Sequence, residues 1–309
     1  MRISGKGLIN REKLVNFKFD GSDYKGFEGD TVASALLASG KKLFGRSFKY
    51  HRPRGVLTAG SEEPNALLTV GQGAFQDPNI RATTQEIFEG LITKSQNNWP
   101  NLHYDILSAN DLFSDFLGVG FYYKTFMWPK SFWEKVYEPI IRRAAGLGAL
   151  SGLHNSDTYE KAYTFCDLLI IGGGPSGLIA AKIAAEAGLD VIITEQEPIF
   201  GGRLISENEE VDGMPGSVWA AKTVKNLEEL NNVRLFSRTT VTGAYDQGTF
   251  AAVERVGHHL PKRGGDRPLE CFWRIVAKHS ILAAGAIERS IAFPNNDRPG
   301  IMSAGAVRT

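Results

Sequence analysis

The run from Asp167 to Ile171 leads without a break into Gly172-Gly173-Gly174-Pro175-Ser176-Gly177, and no other stretch so restricts what this chain can fold into. A short, nearly continuous apolar run suits a central parallel strand covered on both faces. The glycines fit G-x-G-x-x-G through Gly172, Gly174 and Gly177. In that pattern the first makes a tight turn, the second lets the main chain approach a pyrophosphate, and the third allows helix and strand to pack closely. LIAAKIAAEAG then reads as a helix closed by Gly188, with its first N–H groups and its dipole facing the phosphates and Pro175 and Ser176 at the corner.

A second apolar run, LDVIITE, ends at Glu195, which lies 195 − 172 = 23 positions beyond the first glycine. That is close to the ~20 expected of a carboxylate that accepts hydrogen bonds from the adenosine ribose. Strand, glycines, helix, strand and acid in this order predict a Rossmann-like α/β domain that binds a dinucleotide. An acid at this place disfavours a 2′-phosphate, so NAD or FAD is preferred to NADP. Gly201-Gly202-Arg203 follows in a loop, a placement common in two-dinucleotide flavoproteins. Ala283-Ala284-Gly285 ends a strand-like run that would return the chain to the nucleotide edge, after an antiparallel excursion over FSRTTVTGAYDQGTFAAVERV and FWRIVAKHSILAAG.

Upstream, LVNFKFDG alternates through Val15, Phe17 and Phe19 before a turn at Asp20, Gly21 and Ser22, and YKGFEG returns, which predicts a hairpin. Asp30 is expected to cap TVASALLASG, whose Val32, Ala35, Leu36 and Ala38 form an apolar helical face ended by Gly40. Hairpin followed by helix suggests a ferredoxin-like β-grasp domain. Such a domain often carries an iron–sulfur cluster held by about four thiolates, but no cysteine precedes Cys166, which excludes the cluster here.

Arg46, Lys49, His51, Arg52 and Arg54 crowd the loop GRSFKYHRPRG. These cations either hold a phosphate or pair with carboxylates across a domain or subunit boundary. Residues 97–163 are dense in aromatics and weak in periodicity, which suggests a segment wrapping another surface, with Phe121, Tyr122, Phe126, Trp128 and Trp133 as anchors. SGLHNSDTYEKAYTF reads as a linker. The expected domains are therefore 1–96 (ferredoxin-like, cysteine-free), 97–163 (wrapping segment and linker) and 164–309 (dinucleotide-binding).

The composition is that of an ordinary globular chain of 309 residues, 42% hydrophobic and 22% charged, with a formal net charge of +1. So small a charge draws it neither to nucleic acid nor to an anionic membrane. With no apolar h-region at the start and no run of the ~18–20 apolar residues that a membrane span needs, the expectation is a cytoplasmic protein. Cys166 and Cys271 read as reduced, buried thiols. The six histidines are scattered and point to surface or packing roles, so no catalytic residue and no metal site is assigned.

FGRSFKYHRPRGVLTAGSEEPNALLTVG, SQNNWPNL, GFYYKTFMWPKSFWEKVYEPIIRRAAGLG, GGGPSGLIAA and AAGAIERSIAFPNNDRPGIMSAGAVRT together resemble the α subunit of heterotetrameric sarcosine oxidase, over nearly the whole chain. The resemblance implies an enzyme that oxidises sarcosine to glycine, reduces oxygen to hydrogen peroxide, and passes a methylene unit to tetrahydrofolate. It implies FAD on a β subunit, FMN between α and β, NAD on the α subunit itself, and partners in the β, γ and δ subunits. Carried onto this sequence, Gly172, Gly174 and Gly177 contact the NAD pyrophosphate, with Pro175 and Ser176 beside them. Glu195 takes the ribose, and Gly202, Arg203 and Gly285 lie nearby.

The family's α subunit continues into a C-terminal folate-binding domain, so the resemblance implies an N-terminal portion here, truncated within the nucleotide domain. Two other readings are an α chain of a related opine, proline or cyanide-forming amine dehydrogenase and a non-catalytic nucleotide-binding module. Those dehydrogenase relatives often keep cluster cysteines in or near the segment that here reads GVLTAGSEEPN.

Overall fold

A computed structural model describes residues 2–3, 7–115, 117–121, 126–261 and 267–309. The chain divides into two compact units. One comprises Met1–Ser4, Ile9–Asn155 and Arg289–Val307; the other comprises Gly5–Leu8, Ser156–Glu288 and Arg308–Thr309.

In the first unit, β1 (Asn10–Phe19) and β2 (Ser22–Glu28) form an antiparallel hairpin. Asp20 and Gly21 at its tip both take positive φ, 48° and 79°, as a two-residue turn that matches strand twist requires. Along β1 the side chains of Val15, Phe17 and Phe19 alternate into the core, where they meet Val32, Ala35 and Leu36 of helix α1 (Val32–Ala38). A short ribbon of β3 (Gly45–Arg46) and β4 (Pro53–Arg54) follows, then β5 (Leu67–Val70), β6 (Asp77–Arg81) and β7 (Leu91–Ser95). The main sheet has the order β2-β1-β7-β5-β6, with β1 and β7 parallel. This is the expected β-grasp arrangement.

Helix α1 starts differently from the sequence expectation. Thr31 is its N-cap, with Thr31 and Ser34 forming a reciprocal capping box, and Asp30 stands outside it. The Asp30 carboxylate is buried, pairs with Arg2 and accepts from the Phe27 N–H at 2.8 Å and the Ser34 hydroxyl at 2.7 Å. It staples the hairpin to the helix start. At the other end Gly40, at φ 83°, donates to Leu37 O while the Lys41 N–H reaches Leu36 O, the paired bonds of a left-handed helix stop. The same unit includes helix α2 (Glu138–Ala144).

The second unit is built on a six-stranded sheet with the order β12-β9-β8-β15-β14-β13. Its strands are β8 (Tyr159–Ile171), β9 (Val191–Thr194), β12 (Val233–Phe236), β13 (Thr239–Tyr245), β14 (Thr249–Arg255) and β15 (Glu270–Leu282). A separate small ribbon joins β10 (Glu210–Val211) to β11 (Met214–Pro215). Helices α3 (Pro175–Glu186) and α4 (Gly216–Glu228) supply the crossovers, whereas α5 (Ala304–Arg308) falls in the first unit up to Val307.

Strand β8 runs parallel to both neighbours, β9 and β15, whereas β13, β14 and β15 form an antiparallel meander, as expected of the excursion. The inner half of β8 is covered on both faces. Leu168 and Ile170 pack with Leu178 and Ala181 of α3, while Leu169 joins Ile192, Phe250 and Ile275.

The stretch read as a linker, residues 151–165, is strand from Tyr159 onward. Its outer half pairs with β15 from Tyr159↔Glu270 to Phe165↔Val276 and leaves Tyr159, Tyr163 and Phe165 exposed on one face. Mixed polar and aromatic residues there hide the strand, because only one face is buried. Lys278 of β15 bridges to Asp167 of β8 at 2.7 Å and, with the Asp190 N–H, holds that carboxyl below its ordinary range.

Candidate dinucleotide site

The site forms where β8 ends between two parallel neighbours, the kind of crevice where open α/β sheets bind ligands. Gly172 has φ 111°, and a Cβ there would fall 2.4 Å from Ala283 O. Its N–H donates to Thr194 O at 2.9 Å, and the Ala283 N–H donates to Ile171 O at 2.8 Å, so the loop is pinned from both sides. Gly177 faces the tightest constraint. A Cβ on it would lie 1.9 Å from Gly172 O. Gly174 is the opposite case: φ is −73° and a Cβ would meet nothing within 4 Å. The fold therefore needs no hydrogen at Gly174, and the free space over it is a cradle.

Helix α3 opens on that cradle. Gly174 is its N-cap without any side-chain cap, Pro175 stands at the first turn, and the first ladder bond runs from the Leu178 N–H to Gly174 O at 2.9 Å. The Ser176 and Gly177 amides lie ahead of the ladder and are available to an anion. Gly202, at φ 52°, closes the opposite wall, its hypothetical Cβ only 3.1 Å from Gly174 Cα. Gly201 donates to Gly173 O at 2.8 Å. These features fit a pyrophosphate.

Glu195 is buried at the end of β9. Its Oε2 accepts the Gly173 N–H at 2.9 Å and its Oε1 accepts the Glu197 N–H at 2.9 Å. The acid is thus a brace between the glycine loop and its own loop. Each oxygen keeps a further lone pair with which to accept from a ribose. Arg203 lies more than half exposed, pairing through Nε with Glu207 at 3.0 Å and reaching Glu288 at 3.9 Å. Gly285 is exposed at φ 69° with open space around it. Phe200, which packs beneath Gly173, and Ala283 are part of the loop's support that spacing alone did not mark.

The basic loop of the first unit is spent internally. Arg46 donates to the carbonyls of Leu102, His103 and His51, and Lys49 to that of Gly118. Arg52 pairs with Asp111 at 3.0 Å, and Arg54 with Asp297. His51 is fully buried and holds Asp105 through Nδ1 at 2.6 Å. Three of the five side chains, His51, Arg52 and Arg54, pair with carboxylates, within one unit rather than across a boundary. The loop's partners are chiefly residues 97–118, so that segment docks by polar bonds. Of the expected aromatic anchors, Trp128 is 83% exposed, Phe121, Phe126 and Trp133 are half-buried, with Lys49 over the Phe121 ring at 5.2 Å, and Tyr122 lies outside the described residues. Aromatic contacts do occur between Phe126 and both Phe121 and Tyr137.

Both cysteines are free and buried, and burial pushes each thiol up to about 11. Among the described residues no helix is long and apolar enough to cross a membrane.

Comparison with known proteins places these two units. Residues 12–98 match the family described as 2Fe-2S iron-sulfur cluster binding domain, and residues 167–256 match that described as FAD dependent oxidoreductase. Sarcosine oxidase subunit alpha of Rhizobium meliloti (strain 1021) is 53% identical over 99% of this chain and 31% of its own. The subunit of the same name from Corynebacterium sp. (strain U-96) is 34% identical over 97% of this chain and 27% of its own. The chain thus spans less than a third of the length of these relatives. The crystal structure of L-proline dehydrogenase from P. horikoshii matches with a TM-score of 0.58 at 21% identity, covering 94% of this chain and 44% of that one, a likeness of fold.

Proposed function

We propose, from the premise that this chain is a homologue of the sarcosine oxidase α subunits, that it is the nucleotide-binding part of an oxidoreductase acting on CH–NH groups. The substrate we assign is sarcosine, converted to glycine with formation of hydrogen peroxide and 5,10-methylenetetrahydrofolate. Flavin in the assembly, FAD on a β subunit and FMN at the α/β boundary, supplies the two-electron acceptor. This chain's own residues bind and position. The Ser176 and Gly177 amides and the cradle over Gly174, lined by Gly172, Pro175 and Gly202, hold the pyrophosphate of NAD. Glu195 accepts from the ribose, and Arg203 and Gly285 border the mouth. The domain limits at 96 and 163, a cytoplasmic location, and γ and δ subunits as further partners belong to the same reading, which has no place for nucleic acid or membrane.

One observation carries this reading: the glycine loop presents unspent amides over an open cradle, beside a buried acid suited to an adenine nucleotide. A second reading puts FAD in that cradle, favoured by the match of residues 167–256 to FAD dependent oxidoreductases. The nucleotide released on denaturation of the purified protein decides between them. NAD supports the first reading and FAD the second, and NADP or no nucleotide contradicts both. Co-expression with a β-type subunit, followed by assay of peroxide from sarcosine, tests the activity.

A further inference from the structure

Residues 12–98 match a family described by a 2Fe-2S cluster, and such a cluster is held by thiolates. This domain does not fit the group. The first cysteine of the chain is Cys166, and among the described residues no group of three or more His, Cys, Asp or Glu side chains could hold a metal ion. The loop between β4 and β5 is organised instead around a carboxylate. Glu63 is 1% exposed at its centre. Its Oε2 accepts the Leu57 N–H at 2.8 Å, the Thr58 N–H at 2.7 Å and the Thr58 hydroxyl at 3.2 Å. Its Oε1 accepts the Asn65 N–H at 2.8 Å and the Ala66 N–H at 3.1 Å.

Main-chain donors from both arms of the loop therefore converge on one side chain. Concavities of inward-pointing amides are anion sites, used elsewhere for phosphate and iron–sulfur groups. Here the charge comes from within the loop. Arg81 donates to the Glu63 main-chain carbonyl at 3.2 Å, and Thr83 to Gly60 O at 2.7 Å, so these neighbours fasten the loop's backbone rather than its carboxylate. We infer that Glu63 is a built-in anion: its carboxylate does for this loop what a bound inorganic group does for an amide nest. The loop is thereby ordered without a metal. A glutamine cannot replace it, because one end of the amide is a donor facing donors. An alanine leaves a cavity ringed by unsatisfied N–H groups.

The test uses the full chain as wild type, Glu63→Gln and Glu63→Ala, in thermal melts and amide hydrogen exchange. In the wild type, the amides of Leu57, Thr58, Asn65 and Ala66 exchange on the order of 100-fold more slowly than that of exposed Glu62. Glu63→Gln lowers the melting temperature by roughly 5 °C or more. Sodium formate, but not sodium chloride at the same concentration, raises the melting temperature of Glu63→Ala and leaves the wild type unchanged. The inference is overturned by rapid exchange at those four amides, a reading available even if neither variant folds. It is overturned equally by a Glu63→Gln melt matching wild type, or by a folded Glu63→Ala that formate does not stabilise.

Discussion

The chain contains two loops that gather main-chain amides, and they are opposites. Around residues 57–66 the amides close on Glu63, a carboxylate from the same loop. Around residues 172–177 the acid that follows, Glu195, takes only the Gly173 amide of that loop, its other oxygen accepting the Glu197 N–H, while the Ser176 and Gly177 amides stay ahead of the helical ladder. The difference teaches that an amide-rich loop is open to a ligand only when the fold does not supply its own anion. Where the side chain sits inside, the loop is structure; where it sits beneath, the loop is a cradle.

The largest effect comes from breaking the cradle's frame. Gly177→Ala places a Cβ 1.9 Å from Gly172 O, with nowhere for backbone to retreat. A cost of about 3 kcal/mol or more is expected, with nucleotide binding lost along with the fold of the second unit. A melt and a nucleotide titration check this together.

Glu195→Gln is milder. The amide keeps one acceptor for either the Gly173 or the Glu197 N–H and turns a donor on the other, at about 1–2 kcal/mol. Discrimination of NAD against NADP should narrow in the same variant, because the carboxylate that repels a 2′-phosphate is gone. Competition binding with the two nucleotides reads this out. Unchanged preference would leave Glu195 a brace alone.

The smallest effect is a pH dependence. The folded Cys166 thiol is pushed up to about 11, chiefly by burial, from an ordinary 9.0. Between those values the unfolded chain has lost the proton that the native state still holds, so stability falls as pH rises from 9 to 11. Cys166→Ala should make that decline less steep in melts across the range, leaving the share due to Cys271. A slope indifferent to the substitution would place its cause elsewhere.

The frame of the glycine loop was legible because Gly172 and Gly177 answer local geometric demands that spacing encodes, whereas the fold makes no such demand at Gly174. The β-grasp hairpin was legible for a similar reason: Val15, Phe17 and Phe19 alternate on one buried face. What could not be read were partners distant in sequence. Asp30 resembled a cap because it precedes an apolar run, yet its carboxylate answers to Arg2 and Phe27, and Thr31 caps. The outer half of β8 looked like a linker because its exposed face carries Tyr159, Tyr163 and Phe165 without apolar alternation strong enough to announce a strand. The basic loop left phosphate binding and carboxylate pairing both open, since nothing local reveals that Arg46 is bonded to the carbonyls of Leu102 and His103. Glu63 was equally silent, because SEEPN has the composition of a solvated turn.

The most direct measurement is a titration of NAD into wild-type protein and Gly174→Ala side by side, with a thermal melt of each. Gly174 has ordinary φ and empty space where its Cβ would stand, so the substitution should leave the melting temperature within about 1 °C while weakening nucleotide binding by roughly 10-fold to 100-fold. Equal affinity in the two proteins, or no binding to the wild type, would contradict the assignment of that cradle to the pyrophosphate of NAD.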